Sequence, residues 1–351
     1  MTPEASDFTI SHDAKVIDAL RQLNELSGHG NTVFALDEAG RVVGSISDGD
    51  LRRSLISGHT LDTRLTEVMH RDFRSIHIGD TLTDVKELLA RRITLLPELN
   101  ADGTLARVLD LNNYRAILPV DAVLMAGGRG ERLRPLTLTT PKPLLAVGDR
   151  AIIDYNIALM ARYGIRNISV TTNYLASQIE RHFSEPVCGI DVKCVREPRR
   201  LGTAGSLTLV KEWANDVVLL MNSDLLTTID LGEMYRCHIS SKADMTMATI
   251  PYVVSVPYAI IRSRHNRVTG LEEKPTYNYL ANAGIYMLNR RMIELIPEGE
   301  FFDAPDLMLK AIAQGLKVSH YAINGLWLDI GSPHDFAQAQ ELMKQHSLMN
   351  F

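Results

Sequence analysis

The run Asp121–Leu145, DAVLMAGGRGERLRPLTLTTPKPLL, decides the fold. Its opening residues, Ala122 to Ala126, are apolar without a break and read as a buried strand that passes straight into Gly127, Gly128 and Gly130. Arg129, Arg132, Arg134 and Lys142 accompany the glycines, four cations within fourteen residues. Glycines at the carboxyl end of a strand let the backbone curl with its N–H groups inward, which makes an anion nest, and the cations neutralise what sits there. The ligand expected is a phosphate. A Walker A loop would need a Lys directly after its last glycine, and a dinucleotide fingerprint would need a glycine where Leu133 stands; neither pattern fits.

Composition sets the outer limits. The chain has 351 residues, 45% apolar and 23% charged, enough for two or three globular domains. No stretch of about 18 apolar residues offers a membrane span, and MTPEASDFTI lacks the build of a signal peptide, so a cytoplasmic location is expected. The net charge of −5 falls unevenly: the first 119 residues hold 13 Lys/Arg against 18 Asp/Glu, leaving 24 of each for the rest. A neutral body with one locally basic loop favours a small anionic ligand over nucleic acid or a membrane. Cys188, Cys194 and Cys237 form no CxxC pair and are expected to be buried free thiols.

After the glycine loop, strand and helix patterns alternate. Helices are expected over 152–163, 175–182 and 207–213, strands over 168–172, 192–195 and 217–221, and a packing helix over 333–348. Such alternation predicts an α/β domain with a mostly parallel, Rossmann-like sheet and its ligands at strand carboxyl ends. Asn173 and the run Asn222-Ser223-Asp224 each follow an apolar strand directly. Residues 1 to about 119 read instead as one small α+β unit written twice, offset by 63 to 66 residues. The first copy has AKVIDALRQL as a helix, TVFALDEAGRVVGSIS as two strands about an Ala-Gly turn, and DGDLRRSLISG as a helix capped by Asp48 and Asp50. The second has DTLTDVKELLARR, LLPELNADGTLARVLDL and NNYRAIL in the same order. The domains expected are thus 1–62, 63–119 and 120–351, and YRAILPV is too short and apolar to be a flexible tether between the last two.

The glycine-loop stretch resembles the signature of the sugar-1-phosphate nucleotidylyltransferases, GGxGxRLxPLT followed by PKPL, on Gly127, Gly128, Gly130, Arg132, Leu133, Pro135 to Thr137 and Pro141 to Leu144. LGTAG (Leu201–Gly205), LEEKP (Leu271–Pro275), NAGIY (Asn282–Tyr286) and LWLDIGSP, which contains Asp329, resemble further blocks of that family. LGTAG is similar to the mannose-1-phosphate guanylyltransferase branch, so GTP is the nucleotide the resemblance favours. The duplicated unit resembles a pair of cystathionine-β-synthase (CBS) domains, mainly on GSISDGDLRR. CBS repeats ahead of such a transferase resemble the glucosamine-1-phosphate guanylyltransferases of legionaminic-type acid biosynthesis.

The resemblance assigns roles residue by residue. Gly127, Gly128, Gly130, Leu201, Gly202 and Thr203 would bind the nucleotide, and Arg132 and Lys142 would be the catalytic cations on its phosphates. Glu273, Lys274, Asn282 and Gly284 would meet the sugar and its phosphate. Asp224 and Asp329 would hold Mg²⁺, a cation that takes oxygen ligands together with phosphate oxygens. A sugar 1-phosphate is already an anionic nucleophile, so attack on the α-phosphorus needs alignment and charge neutralisation rather than a general base. In the CBS pair, Ser47 and Asp50 would hold the ribose of an adenine nucleotide, whereas the second copy has Asp110 and Asn113 there. Tyr258-Ala259 and Ser223 stand where relatives carry Tyr-Gly and Gly, which points to a non-standard sugar pocket. A homo-oligomer is expected. Two other readings remain: a catalytically silent, transferase-like regulator, and an adenylate sensor in which the repeats are the main business.

Overall fold

In the computed structural model, which describes residues 5–26 and 30–345, the chain divides into a unit ending at Leu118 and one beginning at Pro119. The second unit is built on seven strands: β1 (Val120–Met125), β2 (Ile168–Thr172), β3 (Lys193–Arg196), β4 (Val217–Asn222), β5 (Met245–Ser255), β6 (Thr276–Asn289) and β7 (Val318–Ala322). Their spatial order is β3-β2-β1-β4-β6-β5-β7. Only β6 runs against its neighbours; the other pairings are parallel. The chain winds outward from β1 to β3 and then returns to lay β4 on the other edge of β1. A crevice therefore opens beyond the carboxyl ends of β1 and β4, where the winding direction reverses.

Helices α1 (Ile152–Ala161), α2 (Ala176–His182), α3 (Leu231–Ser241), α4 (Ala304–Ala313) and α5 (Pro333–Gln345) complete this unit. β2 is buried throughout, and β1 and β4 are buried except for their last residues, which explains why their sequences run apolar instead of alternating. Val123, Val218, Leu220 and Leu288 join Leu307 of α4 in the main core. A separate core of Leu133, Leu145, Ile152, Leu226, Ile330 and Ala339 lies under the glycine-loop segment and ties it to the chain around Asp329 and to α5. The apolar residues inside the sequence blocks thus anchor loops whose polar residues stay free for a ligand.

Three local expectations need correction. Residues 207–213 do not form a helix: a 3₁₀ turn, Ser206–Leu209, ends at the extended Val210. The buried Asp121 carboxylate fixes the segment after it, accepting from the backbone N–H of Ala214 (2.7 Å) and Asn215 (3.0 Å) and from Asn215 Nδ2 (2.7 Å). A tertiary contact has overridden the helical pattern. Residues 112–118 likewise give only the 3₁₀ turn Leu111–Asn113 before buried Ala116, Ile117 and Leu118. The thiols are free, but Cys188 is exposed and Cys194 and Cys237 are half-buried, so the expectation of buried cysteines fails.

The first unit holds two three-stranded sheets of the same build. Thr9–Ser11, Thr32–Leu36 and Val42–Ser47 form one, and Ile76–His77, Leu95–Leu99 and Leu105–Asp110 the other. In each, the first strand runs parallel to the second and the second pairs with the third as a hairpin. Leu95 and Leu99 of the second copy pack into the core of the first, so the copies share apolar interior. Helix Asp48–Ile56 is capped by Ser47, not by Asp48 as expected; Asp50 closes a capping box by accepting the Ser47 N–H (2.9 Å). Among the described residues no helix is long and apolar enough to cross a membrane.

Asp121→Ala would remove the buried carboxylate that holds the backbone of Ala214 and Asn215 in place. It is expected to destabilise this unit by roughly 3 kcal/mol, seen as a lower urea midpoint with unchanged circular dichroism in the absence of urea.

Candidate active site

The loop after β1 is shaped by its own packing. Gly130 has φ +58°, and a Cβ there would lie 2.9 Å from Thr137 Cγ2 and 3.1 Å from Lys142 Cβ, so only glycine admits both neighbours. Thr137 Oγ1 donates to the Gly130 carbonyl (2.8 Å). Tyr174 Oη and Gln178 Nε2 reach across from the chain after β2 to the carbonyls of Thr137 (2.9 Å) and Thr139 (2.8 Å). The loop is held from two sides, and Lys142, 9% exposed, is delivered to the crevice.

Asp224 and Asp329 meet through a short antiparallel pair. Leu225–Thr227 pairs with Trp327–Asp329, with Leu225 opposite Asp329, and the Ile330 N–H donates to the Asp224 carbonyl (3.1 Å). Lys142 Nζ bonds the Asp224 carboxylate and stands 3.7 Å from Asp329 Oδ1. Oδ1 of Asp224 and Oδ1 of Asp329 are both buried without a hydrogen-bond partner. Burial first, and then the neighbouring charge of Asp224, push the Asp329 carboxyl above the usual range, opposed by Lys142 and Arg132. Two adjacent acids with orphaned oxygens fit a divalent cation whose remaining ligands come from a substrate. The Arg132 guanidinium joins them: a Cβ on Gly331 would lie 3.0 Å from Arg132 Nη2, so the glycine leaves it room. Ser223, the residue that departs from the usual glycine, ties β4 to β1 by donating its hydroxyl to the Met125 carbonyl (2.6 Å).

A cavity of about 1070 Å³ is lined by Gly127, Gly128, Gly130, Arg132, Lys142 and Asp224, with Gly202 and Thr203 further along its wall, while Asp329 lies behind Lys142 and Asp224 and outside the lining. Leu201 is buried behind the cavity wall at 1% exposure. Of the residues assigned to the sugar, Gly284 (φ +71°) touches the wall, since a Cβ there would lie 2.4 Å from Asn222 Nδ2. Asn282 folds inward, accepting the Gly284 N–H (2.9 Å) and donating to Tyr286 Oη (2.6 Å). Glu273 and Lys274 are exposed and lie outside the residues that line the cavity.

Glu197 and Asp303 are among the side chains of the cavity that escaped the sequence reading. Glu197 follows β3, is 6% exposed, accepts the Leu201 N–H (3.0 Å) and lies against Gly127, where a Cβ would come within 2.6 Å of its Oε1. Burial pushes its carboxyl up, while the Leu201 N–H and Arg200 pull it down less strongly. Its place four residues before LGTAG was the available signal. Asp303 gave none, being a hundred residues away. Its Oδ1 accepts from Thr203 N (2.8 Å) and Thr203 Oγ1 (3.0 Å), while Ala304 N donates to Thr203 Oγ1 (2.8 Å). The Phe302 carbonyl takes the N–H groups of Ala204 (2.9 Å) and Gly205 (2.8 Å), and Phe302 N donates to Leu201 O (2.9 Å). The expectation that this loop's N–H and C=O groups face a base is thereby narrowed, because the N–H groups of Thr203, Ala204 and Gly205 and the Leu201 carbonyl are spent on residues 302–304.

In the first unit, the Asp50 carboxylate is occupied by its own helix end. It accepts the Ser47 hydroxyl (2.6 Å), pairs with Arg53, and has His70 Nε2 at 3.5 Å. Burial pushes its carboxyl up, but the bonds from Ser47 and Arg53 and the nearby His70 together outweigh burial and hold it below the usual carboxylate range.

What converges at the carboxyl edge of the sheet is charge suited to phosphate, cations from the loop and acids for a metal ion, and that is the make-up of a phosphate-transferring α/β enzyme. Comparison with known proteins narrows the class: the chain belongs to the nucleotidyl transferase family, whose model matches residues 121–346. A CBS domain model matches residues 1–57. One relative is a mannose-1-phosphate guanylyltransferase of Mycobacterium tuberculosis, 32% identical over 62% of this chain and 63% of the relative. Another is the D-glycero-alpha-D-manno-heptose 1-phosphate guanylyltransferase of Aneurinibacillus thermoaerophilus, 28% identical over 65% of this chain and 100% of the relative. The match thus spans somewhat under two thirds of the mycobacterial protein and all of the second. HddC from Yersinia pseudotuberculosis, solved in complex with GMP-PN, shares the fold at 22% identity and TM-score 0.50, over 64% of this chain and 99% of that one.

Asp303→Ala should loosen the Thr203 loop and leave Lys142 and Asp224 untouched. The expected result is a KM for the nucleotide raised about tenfold, with kcat and the KM for the phosphorylated acceptor changed less than about twofold, and partial recovery in Asp303→Asn.

Proposed function

We propose that the chain transfers GMP from GTP to a sugar 1-phosphate, releasing pyrophosphate. The observation that carries this reading is the meeting of Lys142, Asp224 and Asp329 beside the glycine loop, with one orphaned carboxylate oxygen on each acid. Mg²⁺ held by Asp224 and Asp329 would neutralise phosphate charge. Lys142 would pass from the Asp224 carboxylate to the α-phosphate and the incoming sugar phosphate, and Arg132 would steady the β- and γ-phosphates as pyrophosphate leaves. No side chain needs to remove a proton, because the acceptor is already an anion.

Glu197 supports guanine. A carboxylate only accepts, and the guanine edge offers adjacent N1–H and N2–H₂ donors, whereas uracil and thymine offer one N–H between two carbonyl oxygens that a carboxylate repels. Glucosamine 1-phosphate is the proposed acceptor. It rests on the resemblance of the whole architecture, and the departures at Ala259 and Ser223 accord with a pocket unlike that for mannose. At the CBS pair, an adenine nucleotide would need to displace Arg53 and His70 from Asp50 before its ribose could bond there.

Pyrophosphate release in the presence of Mg²⁺ tests the reading, crossing GTP, UTP, dTTP, CTP and ATP with mannose, glucose and glucosamine 1-phosphates. GTP with glucosamine 1-phosphate is expected to give the strongest signal, and silence across the grid would favour a regulatory role instead. Lys142→Ala and Asp224→Ala should each lower turnover by about a thousandfold or more; wild-type rates in either would overturn the assignment. Glu197→Gln should narrow the preference for GTP over UTP by about tenfold or more.

A further inference from the structure

The wall that carries Glu197 and Thr203 also carries two adjacent arginines, Arg199 and Arg200, and both line the cavity. They are engaged differently. Arg199 turns its guanidinium to backbone, donating from Nε to the Gly299 carbonyl (3.0 Å), and so braces the chain that leads to Phe302 and Asp303. Arg200 is exposed, and among the described residues its side chain has no hydrogen bond or ion pair. Its guanidinium carbon instead stands over the Phe301 ring, 5.9 Å from the centroid. A seam between the two segments brings these side chains together: Arg199 bonds Gly299 on one side, and Phe302 N donates to Leu201 O (2.9 Å) on the other. Arg200 borders the cavity whereas Phe301 does not, which places the guanidinium between the ring and the open space.

The charges of the cavity separate into two groups. Lys142 and Arg132 draw the Asp329 carboxyl down against burial, while Arg200 is a cation that pulls on Glu197. Arg200 thus belongs with Glu197 and Thr203 and not with the corner where Lys142 meets the two acids. A guanidinium is planar and weakly hydrated, so it stacks flat on an aromatic face, and a nucleobase presents such a face whatever its edge carries. We propose, resting on the guanylyltransferase reading, that Arg200 stacks on the base of the bound nucleotide, with Phe301 backing the guanidinium and the edge of the base turned to Glu197. The two residues then divide the work. Glu197 discriminates between bases at the edge, and Arg200 adds affinity at the face, where every base offers a π-system and a purine offers the larger one. A phosphate contact would ask for a different place, since the cations that act on Asp329 are Lys142 and Arg132.

Displacement of radiolabelled GTP from the full chain tests this, with Mg²⁺ present, no sugar 1-phosphate, and unlabelled GTP, guanosine or inorganic tripolyphosphate as competitor. Arg200→Ala is expected to weaken GTP and guanosine about tenfold each, and tripolyphosphate less than about twofold. Arg200→Lys, which keeps the charge and loses the plane, should resemble Arg200→Ala with guanosine. Phe301→Leu should weaken guanosine about threefold, because the guanidinium loses its backing. Arg200 is exposed, so both changes at it should leave the fold intact. Unchanged guanosine affinity in Arg200→Ala would overturn the stacking contact. An equal loss with tripolyphosphate, or full recovery in Arg200→Lys, would overturn it too, since either makes Arg200 a phosphate cation. A wild-type chain that binds no GTP would overturn the guanylyltransferase reading itself, and the stacking contact with it.

Discussion

A single ammonium group sets the terms of the catalytic corner. Asp224 and Asp329 lie close enough to raise the Asp329 carboxyl, and burial acts in the same direction, so two ionised acids are tolerable there only with compensating charge nearby. Lys142 supplies it, bonded to one acid and 3.7 Å from the other. The glycine loop can be understood from this requirement. Gly130 must let the backbone pack against Lys142 Cβ, Thr137 must bond the Gly130 carbonyl, and the small core of Leu133, Leu145 and Ile330 must hold both sides of the corner in place. The loop proposed to cradle phosphate is thereby the loop that neutralises the two acids proposed to hold the metal ion.

Much of this was legible in the sequence because it depends on local pattern. The apolar runs of β1, β2 and β4, the glycines after β1 and the acid after β4 all follow from periodicity and from the rule that ligands gather at strand carboxyl ends. The duplicated unit announced itself by its spacing. What stayed hidden was tertiary. Asp303 caps α4, and nothing in the local sequence says that its carboxylate reaches Thr203. Residues 207–213 carry a helical pattern, yet the Asp121 carboxylate, brought in from β1, claims the backbone that follows. Likewise the meeting of Asp224 with Asp329 rests on a three-residue strand pair too short to be seen as periodicity.

The two ends of the cavity are built to different standards. On the Thr203 side the wall is cross-braced: Leu201, Thr203, Ala204 and Gly205 are all bonded to residues 302–304, and Glu197 locks onto Leu201 from beneath. Groups held this way have little freedom to adapt, so a ligand that cannot match the fixed acceptor of Glu197 leaves it unpaired. On the other side the groups assigned to the acceptor sit on or beside the arm that Ile250 to Ser255 of β5 and Thr276 to Ala281 of β6 form beyond the reach of β7 and β4, and Glu273 and Lys274 at its return are exposed.

This difference bears on how selectivity divides between the two substrates. A fixed polar wall rejects the wrong partner strongly, because every mismatch strands a buried group, whereas a pocket completed by exposed side chains discriminates weakly until those side chains are ordered. Under the proposed function, the nucleotide is therefore the substrate that the folded chain would define by itself. The sugar would be defined only as far as the arm is held, and among the described residues no further strand pairs with this charge-free ribbon. Holding the arm and setting the acceptor pocket then become one physical problem, since the strands of the arm also carry Asn282 and lead into Glu273 and Lys274.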